Sequence, residues 1–265
     1  MTYQHITSRC FINYPFRRLQ QELDLVLAHR IQPEIGLEGD TLYTATPTEY
    51  REVAKALAGA GLGCTLHAPF FDLAPGGLDE KILAASRNKL SKAFDLIEVF
   101  RPAAVVCHLN YEANKHGYKE AAWFDASLTT WRALLAQAGA RQVVLMLENT
   151  YETGPEQHVK MLTALNSPLA RFCLDVGHVS AFAKNSWQEW LSVLAPWLGQ
   201  LHLHDNHGDR DAHLAPGKGS FDFPGLFSSL KEQRLQPLVT LEPHTEDDLW
   251  ESLAALERMH FFSTE

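Results

Sequence analysis

Seven short motifs carry residue types that hold metals or move protons. They are His67 in LHAP, His108 in CHLN, Glu148 with Asn149 in LEN, Asp175 and His178 in DVGH, His202 in HLHD, Asp211 and His213 in DAH, and Glu242 in LEP. Imidazole nitrogens with carboxylate oxygens suit Zn2+, Mn2+ or Fe2+ better than Mg2+ or Ca2+. Glu and His are also the common general acids and bases. Singly, each such residue is more often a hydrogen-bonded or solvated side chain than a ligand. Chemistry follows only if the fold brings them to one place.

The chain alternates short β-rich runs with amphipathic helical stretches. Residues 5–11, 33–39, 63–69, 103–110, 143–149, 171–177, 200–206 and 237–243 read as strands. Helical spacing marks 16–30, 48–61, 78–100, 121–138, 156–165, 187–197, 224–234 and 246–258. Strict alternation implies parallel strands with helical crossovers. Eight such units in 265 residues predict an α/β protein, a (β/α)8 TIM barrel, as a single domain over 1–265. The rival, an open doubly wound sheet, normally opens on a GxGxxG turn, which is absent.

In a parallel barrel the C-terminal strand ends share one mouth. His67, His108, Glu148, Asp175, His202 and Glu242 fall at or near those ends, with His178, Asp211 and His213 just after them. Four carboxylates and five imidazoles crowded together are costly through repulsion and desolvation, and metal ions remove that cost.

Composition sets the outer limits. With 23 Lys+Arg against 32 Asp+Glu, the net charge is −9, which argues against a surface that tracks nucleic acid or anionic membrane. No apolar run approaches the roughly 18 residues of a membrane span. The first ten residues lack a basic segment followed by an apolar one, so we expect no secretory signal and a cytoplasmic setting. Cys10, Cys64, Cys107 and Cys173 are widely spaced within apolar runs and read as core, not as a zinc site.

In order and spacing, the seven motifs resemble the xylose isomerase-like superfamily of TIM barrels. That group includes sugar and sugar-phosphate isomerases and epimerases and the endonuclease IV-like phosphodiesterases. The resemblance runs from about residue 30 to residue 245 and includes the Pro216-Gly-Lys-Gly219 loop. It implies one of two sites. The epimerase type matches Glu148, Asp175, His202 and Glu242 around one divalent ion, with Glu148 and Glu242 as the acid/base pair. The endonuclease IV type adds His67, His108, His178, Asp211 and His213 and holds three ions. The chain matches all nine positions, so on resemblance the site is trinuclear; across the two types the implied cofactor is Zn, Mn or Fe, one to three ions per chain.

Charge arithmetic separates the substrates. Three dications against four carboxylates leave a formal +2, which attracts a phosphodiester. One dication against three carboxylates leaves −1, which suits a neutral sugar. Our leading expectation is metal-assisted hydrolysis of a phosphoester of a small or medium organic substrate. The alternative is a sugar or sugar-phosphate isomerase or epimerase. A third reading is a binding or metal-storage barrel, against which the intact ligand set argues.

Substrate contacts are expected from Arg9, which could bind an anion or pair with Glu34. Glu34 and Glu38 are expected to line the pocket. Lys218 could touch a phosphate or be a surface lysine. Phe70, beside Phe71, could wedge into DNA or form a pocket wall. A homodimer could use Trp123, Trp131, Trp187, Trp190 and Trp197, although such residues more commonly pack on the barrel.

Overall fold

The computed structural model describes residues 3–262, so residues 1, 2 and 263–265 of the expected domain lie outside it. Eight parallel strands close in chain order into one barrel. They are β1 Phe11–Pro15, β2 Gln32–Gly36, β3 Thr65–His67, β4 Ala104–His108, β5 Val144–Glu148, β6 Ala170–Asp175, β7 Leu198–Leu203 and β8 Leu238–Leu241. β8 pairs back onto β1 and closes the ring.

The two-residue pleat sorts each strand between two cores. Ala104 and Val106 of β4, Met146 of β5 and Cys173 of β6 fill the lower barrel interior. Their neighbours Val105, Cys107, Leu145, Leu147, Phe172 and Leu174 face the surrounding helices in the larger core. Continuing the inward series upward brings His108, Glu148 and Asp175 to the top of the same lumen. Strand register levels them: His108 is opposite Glu148, and Asp175 is opposite His202.

Helix starts carry the local chemistry that their sequences require. Reciprocal capping boxes at Thr46/Glu49, Ser186/Glu189 and Thr245/Asp248 open the helices Pro47–Gly59, Trp187–Leu194 and Glu246–Arg258. The long stretch expected over 78–100 is two helices, Glu80–Asp95 and Ile97–Phe100. It stops at Arg101, in the left-handed region at φ 48°, just before Pro102.

The first strand is displaced from its expected position. Of residues 5–11 only Phe11 belongs to it; Gln4–Thr7 is a short helix and the strand is FINYP, Phe11–Pro15. Pro15 is tolerated because it is the last residue of the strand.

All four cysteines are buried and free. Burial pushes the Cys10 and Cys64 thiols up to about 12, so they are inert core groups. Trp123, Trp131, Trp187 and Trp190 are buried, and Trp197 packs against the same core. Among the described residues, no helix is long and apolar enough to cross a membrane.

Candidate metal centre

Glu148 stands at the middle of the barrel mouth. Its Oε2 lies 3.1 Å from His67 Nε2 and 3.3 Å from His108 Nε2, and its Oε1 lies 3.3 Å from His178 Nδ1 and 3.4 Å from His202 Nδ1. Asp211 meets His178 Nε2 at 3.3 Å and His213 Nε2 at 3.1 Å. Glu242, just past β8, reaches His202 Nδ1 at 3.0 Å. The fold therefore brings together all nine residues of the two expected ligand sets. Donor atoms of overlapping subsets approach within 4.8 Å of one another, including His67/His108/Glu148 and Glu148/Asp175/His202.

Local structure explains the spacings. Asp175 ends β6 and caps the helix Val176–Phe182, accepting the His178 backbone N–H at 2.7 Å. That cap fixes the Asp-x-x-His separation, because it binds the third residue of the helix. Asn149, next to Glu148, clamps β5 to β6 by exchanging two 2.9 Å hydrogen bonds with the Asp175 backbone.

Further along, Asp205 organises the loop that carries Asp211 and His213. Its carboxylate accepts backbone N–H groups from Asn206, Gly217, Gly219 and Phe221. His213 itself adopts φ 50°, an uncommon conformation for a residue with a Cβ. Its Nδ1 then lies 3.2 Å from the Glu242 carbonyl oxygen.

A polar layer lies beneath the mouth. Glu34 of β2 is fully buried there, and its Oε2 accepts from Thr65, Gln200 and Thr240. Its Oε1 stands 3.1 Å from His202 Nε2. Glu34 is therefore not a pocket-lining residue and does not meet Arg9. It lies one layer below and sets the orientation of the His202 ring, leaving Nδ1 facing the cluster. Carboxylates behind metal-binding imidazoles commonly serve this purpose.

Sequence reasoning missed His204. It follows β7, two residues after His202, so the pleat turns both rings inward; that period-two HLH pattern was the available signal. His204 Nε2 lies 3.0 Å from Asp175 Oδ1, and its ring stacks on His213 at 3.9 Å with only 2° between planes.

The electrostatics describe a centre that demands cations. Burial works against charge on Glu148, yet His108 and His202 hold its carboxyl well below the usual range. Burial opposes a proton on His67 and His213 too, but Glu148 beside the first and Asp211 beside the second lift both to about 9. His178 and His202 are raised well above their ordinary value against the same burial, His178 chiefly by Asp175. These shifts favour negative charge on Glu148, Asp211 and Glu242 and balancing positive charge beside them, at His67, His178, His202 and His213. Divalent ions would supply that positive charge and take the ring nitrogens as donors instead.

Unsatisfied atoms point the same way. His202 Nδ1, His204 Nδ1 and Asp211 Oδ1 are buried without a well-aligned hydrogen bond. Leaving such atoms unpaired costs about 1–3 kcal/mol each, and more when charged. Imidazole nitrogen and carboxylate oxygen fit a Zn2+, Mn2+ or Fe2+ site, so this donor set suits the metal that the motifs imply.

Above the centre opens a cavity of about 680 Å3, large enough for a small or medium organic molecule. Phe70 forms its wall, stacked on His108 at 4.3 Å, with Phe71, Phe182 and Tyr151 around it. Glu38 also lines it. Arg9 does not: it precedes β1, at the opposite end of the barrel, and its guanidinium donates to the Phe262 carbonyl and covers the Phe262 ring. Lys218 lies at the surface, 3.3 Å from Glu251, and does not line the cavity.

Residues 32–261 match the family model described as xylose isomerase-like TIM barrel. The chain belongs to that family. A relative, the uncharacterized protein MJ1614 of Methanocaldococcus jannaschii, is 24% identical over 191 residues, 70% of this chain and 72% of its own. The structure of a D-tagatose 3-epimerase-like protein superposes with a TM-score of 0.85 at 20% identity, covering 96% of this chain and 97% of that one. The TTHB071 protein of Thermus thermophilus, soaked with ZnCl2, gives 0.79 at 21% identity, covering 97% and 100%. Further matches include D-psicose 3-epimerases. At these identities the superpositions speak for the fold alone.

This xylose isomerase-like barrel thus presents paired carboxylates, a ring of imidazoles and a walled cavity at one mouth. Such an arrangement can hold metal ions, orient an oxygen-rich ligand and move protons between carbon and carboxylate.

Proposed function

We propose that the chain is a metal-dependent isomerase or epimerase of a sugar or sugar phosphate. The observation that carries this reading is the placement of Glu148 and Glu242. They come from β5 and from the end of β8, and flank the same His202 Nδ1 at 3.4 and 3.0 Å. Two carboxylates set around one ligand atom can address two faces of a carbon centre held above it. The likeness to D-tagatose 3-epimerase-like and D-psicose 3-epimerase structures supports the same reading.

Glu148, Asp175, His202 and Glu242 would hold the ion, which when bound polarises a carbonyl as a Lewis acid. One glutamate takes the proton from the carbon beside that carbonyl; the C–H bond breaks and its electron pair moves into the carbonyl system. The other glutamate gains a proton from a substrate hydroxyl or from solvent, because both begin as carboxylates. For epimerisation it returns that proton to the opposite face of the same carbon as the electron pair moves back and the carbonyl re-forms. The first glutamate then passes its proton to the hydroxyl oxygen or solvent that supplied the other. For isomerisation the second glutamate passes the hydroxyl proton to the former carbonyl oxygen while the first delivers its proton to the former carbonyl carbon. The carbonyl thus re-forms on the neighbouring carbon, and both glutamates end as carboxylates. Phe70, stacked on His108, and Phe182 give the cavity apolar walls beside the reacting carbon.

Incubating the Zn2+- or Mn2+-loaded chain with ketoses, aldoses and their phosphates, and following products by NMR, tests the reading. Glu148→Gln and Glu242→Gln are each expected to lower conversion by about a hundredfold or more. Undiminished conversion by either variant would remove that glutamate from the proton transfer.

Phosphoester hydrolysis stands as a second reading because of one further observation. His67, His108, His178, Asp211 and His213 complete a nine-member donor set in the same cluster, more than a single ion requires. On that reading Glu148 lies between the donors of two ions, and the net positive centre suits a phosphodiester.

A further inference from the structure

His204 lies outside the nine positions of the two expected ligand sets, yet the fold spends effort on placing it. The ring is 1% exposed. A Cβ on Gly177 would collide with its Cε1, so the DVGH turn leaves room for this imidazole only because residue 177 has no side chain. Asp175 lies 3.0 and 3.1 Å from Nε2 through its two carboxylate oxygens. A carboxylate in that position keeps the proton on Nε2 and leaves the lone pair on Nδ1.

That Nδ1 has no hydrogen-bond partner. The atom facing it, 3.6 Å away, is Asp211 Oδ1, which is also buried and unpartnered. Two electron-pair donors do not attract one another; held apart at this distance, they are suited to share a cation. Donors each about 2.1 Å from Zn2+ at a tetrahedral angle stand about 3.4 Å apart. On the other side of the ring Glu242 Oε2 stands 3.7 Å from Nε2, and His213, whose Nε2 lies 3.1 Å from Asp211 Oδ2, stacks on the ring face.

We propose that His204 Nδ1 and Asp211 Oδ1 together bind a divalent transition-metal ion, making His204 a tenth ligand of the centre. The inference rests on the metal-dependent reading above and adds to it a donor that the resemblance does not supply. The structure gives this ion an imidazole whose tautomer is set by Asp175 and whose position is set by Gly177. Its chemical class is a borderline ion that accepts nitrogen and oxygen together, such as Zn2+, Mn2+ or Fe2+.

The test uses the full chain, stripped with chelator and reloaded with Zn2+ or Co2+. Metal per chain, the affinity of the weakest site by competition with a chromophoric chelator, and the Co2+ visible spectrum are read for wild type, His204→Asn and His204→Phe. Both variants are expected to lose one ion per chain, or to hold the weakest ion at least tenfold less tightly, with an altered Co2+ spectrum. Wild-type stoichiometry, affinities within twofold and an unchanged spectrum in folded variants overturn the proposal. Failure of the wild-type chain to bind any metal overturns the metal-dependent reading itself. If the variants do not fold, crystals of the loaded wild type decide: anomalous density within about 2.5 Å of His204 Nδ1 is expected, and loaded ions elsewhere with none there contradict it.

Discussion

The Glu34 carboxylate and the His202 imidazole meet 3.1 Å apart inside the barrel, Oε1 against Nε2, and neither is exposed. The contact decides which face of the histidine is available as a donor. When an ion replaces the extra proton on this ring, a carboxylate on Nε2 keeps the remaining proton there and leaves the Nδ1 lone pair toward Glu148 and Glu242. Glu34→Gln keeps the shape and still offers an oxygen to Thr65, Gln200 and Thr240, but its amide can donate to Nε2 and reverse the tautomer. We expect folded protein whose metal affinity is lowered about ten- to a hundredfold. Chelator competition measures it, and unchanged affinity would show that Glu34 is only a packing residue.

Asp205 anchors its loop through four backbone N–H groups at distances of 2.8 to 3.1 Å. Asp205→Ala strands those donors and releases the segment that carries Asp211 and His213. Bonds to charged groups contribute about 1.5–3 kcal/mol each, and solvent recovers part of that. The expected loss is about 2–4 kcal/mol in urea denaturation, together with weaker metal retention. Loss of stability with full metal retention would separate the anchor from the centre.

Gly177 and His204 form a close pair. In Gly177→Ala the new methyl collides with the imidazole, and the ring must swing out of the cluster. Overpacking of this kind costs about 1–3 kcal/mol. The variant should therefore melt earlier and share the metal-binding defect of the His204 variants. A thermal melt with and without Zn2+ reads both effects at once.

His158 gives a pH test at a ring that meets the backbone of Glu148 and belongs to neither expected ligand set. It is buried between Phe172 and Trp190, and burial lowers its pKa from 6.5 to about 4. Between those values the unfolded chain binds a proton that the native chain does not. Stability is therefore complete above pH 6.5 and falls as the pH drops toward 4, by about 1.4 kcal/mol per unit. His158→Phe removes this contribution. Its stability relative to wild type should improve by about 2 kcal/mol between roughly pH 8 and pH 5. Parallel pH profiles for the two proteins would rule the assignment out.

The barrel was legible because strands and helices alternate strictly and because metal-type residues recur at one end of the strands. The nine positions were readable for the same reason: each is at or just after a C-terminal strand end. Depth was not readable. Whether Glu34 faces the pocket or lies a layer below depends on the stagger between β2, β3 and β7, which sequence spacing does not state. Arg9 was misplaced because the apolar residues Ile6, Cys10 and Phe11 masked a strand that includes Asn13 and Pro15. Lys218 needed knowledge of Glu251, its partner 33 residues away. His204 was visible in the HLH alternation, but one imidazole per strand end had already satisfied the resemblance.

Solvent exchange at carbon tests the central claim most directly. The metal-loaded chain is incubated in D2O with ketoses, aldoses and their phosphates, and the recovered sugars are read by NMR and mass spectrometry. We predict deuterium at the carbon beside the carbonyl of the turned-over sugar, abolished by Glu148→Gln and by Glu242→Gln. Hydrolysis of a phosphodiester by the same loaded protein, with every sugar C–H left unexchanged, would contradict the isomerase reading and establish the phosphoesterase in its place.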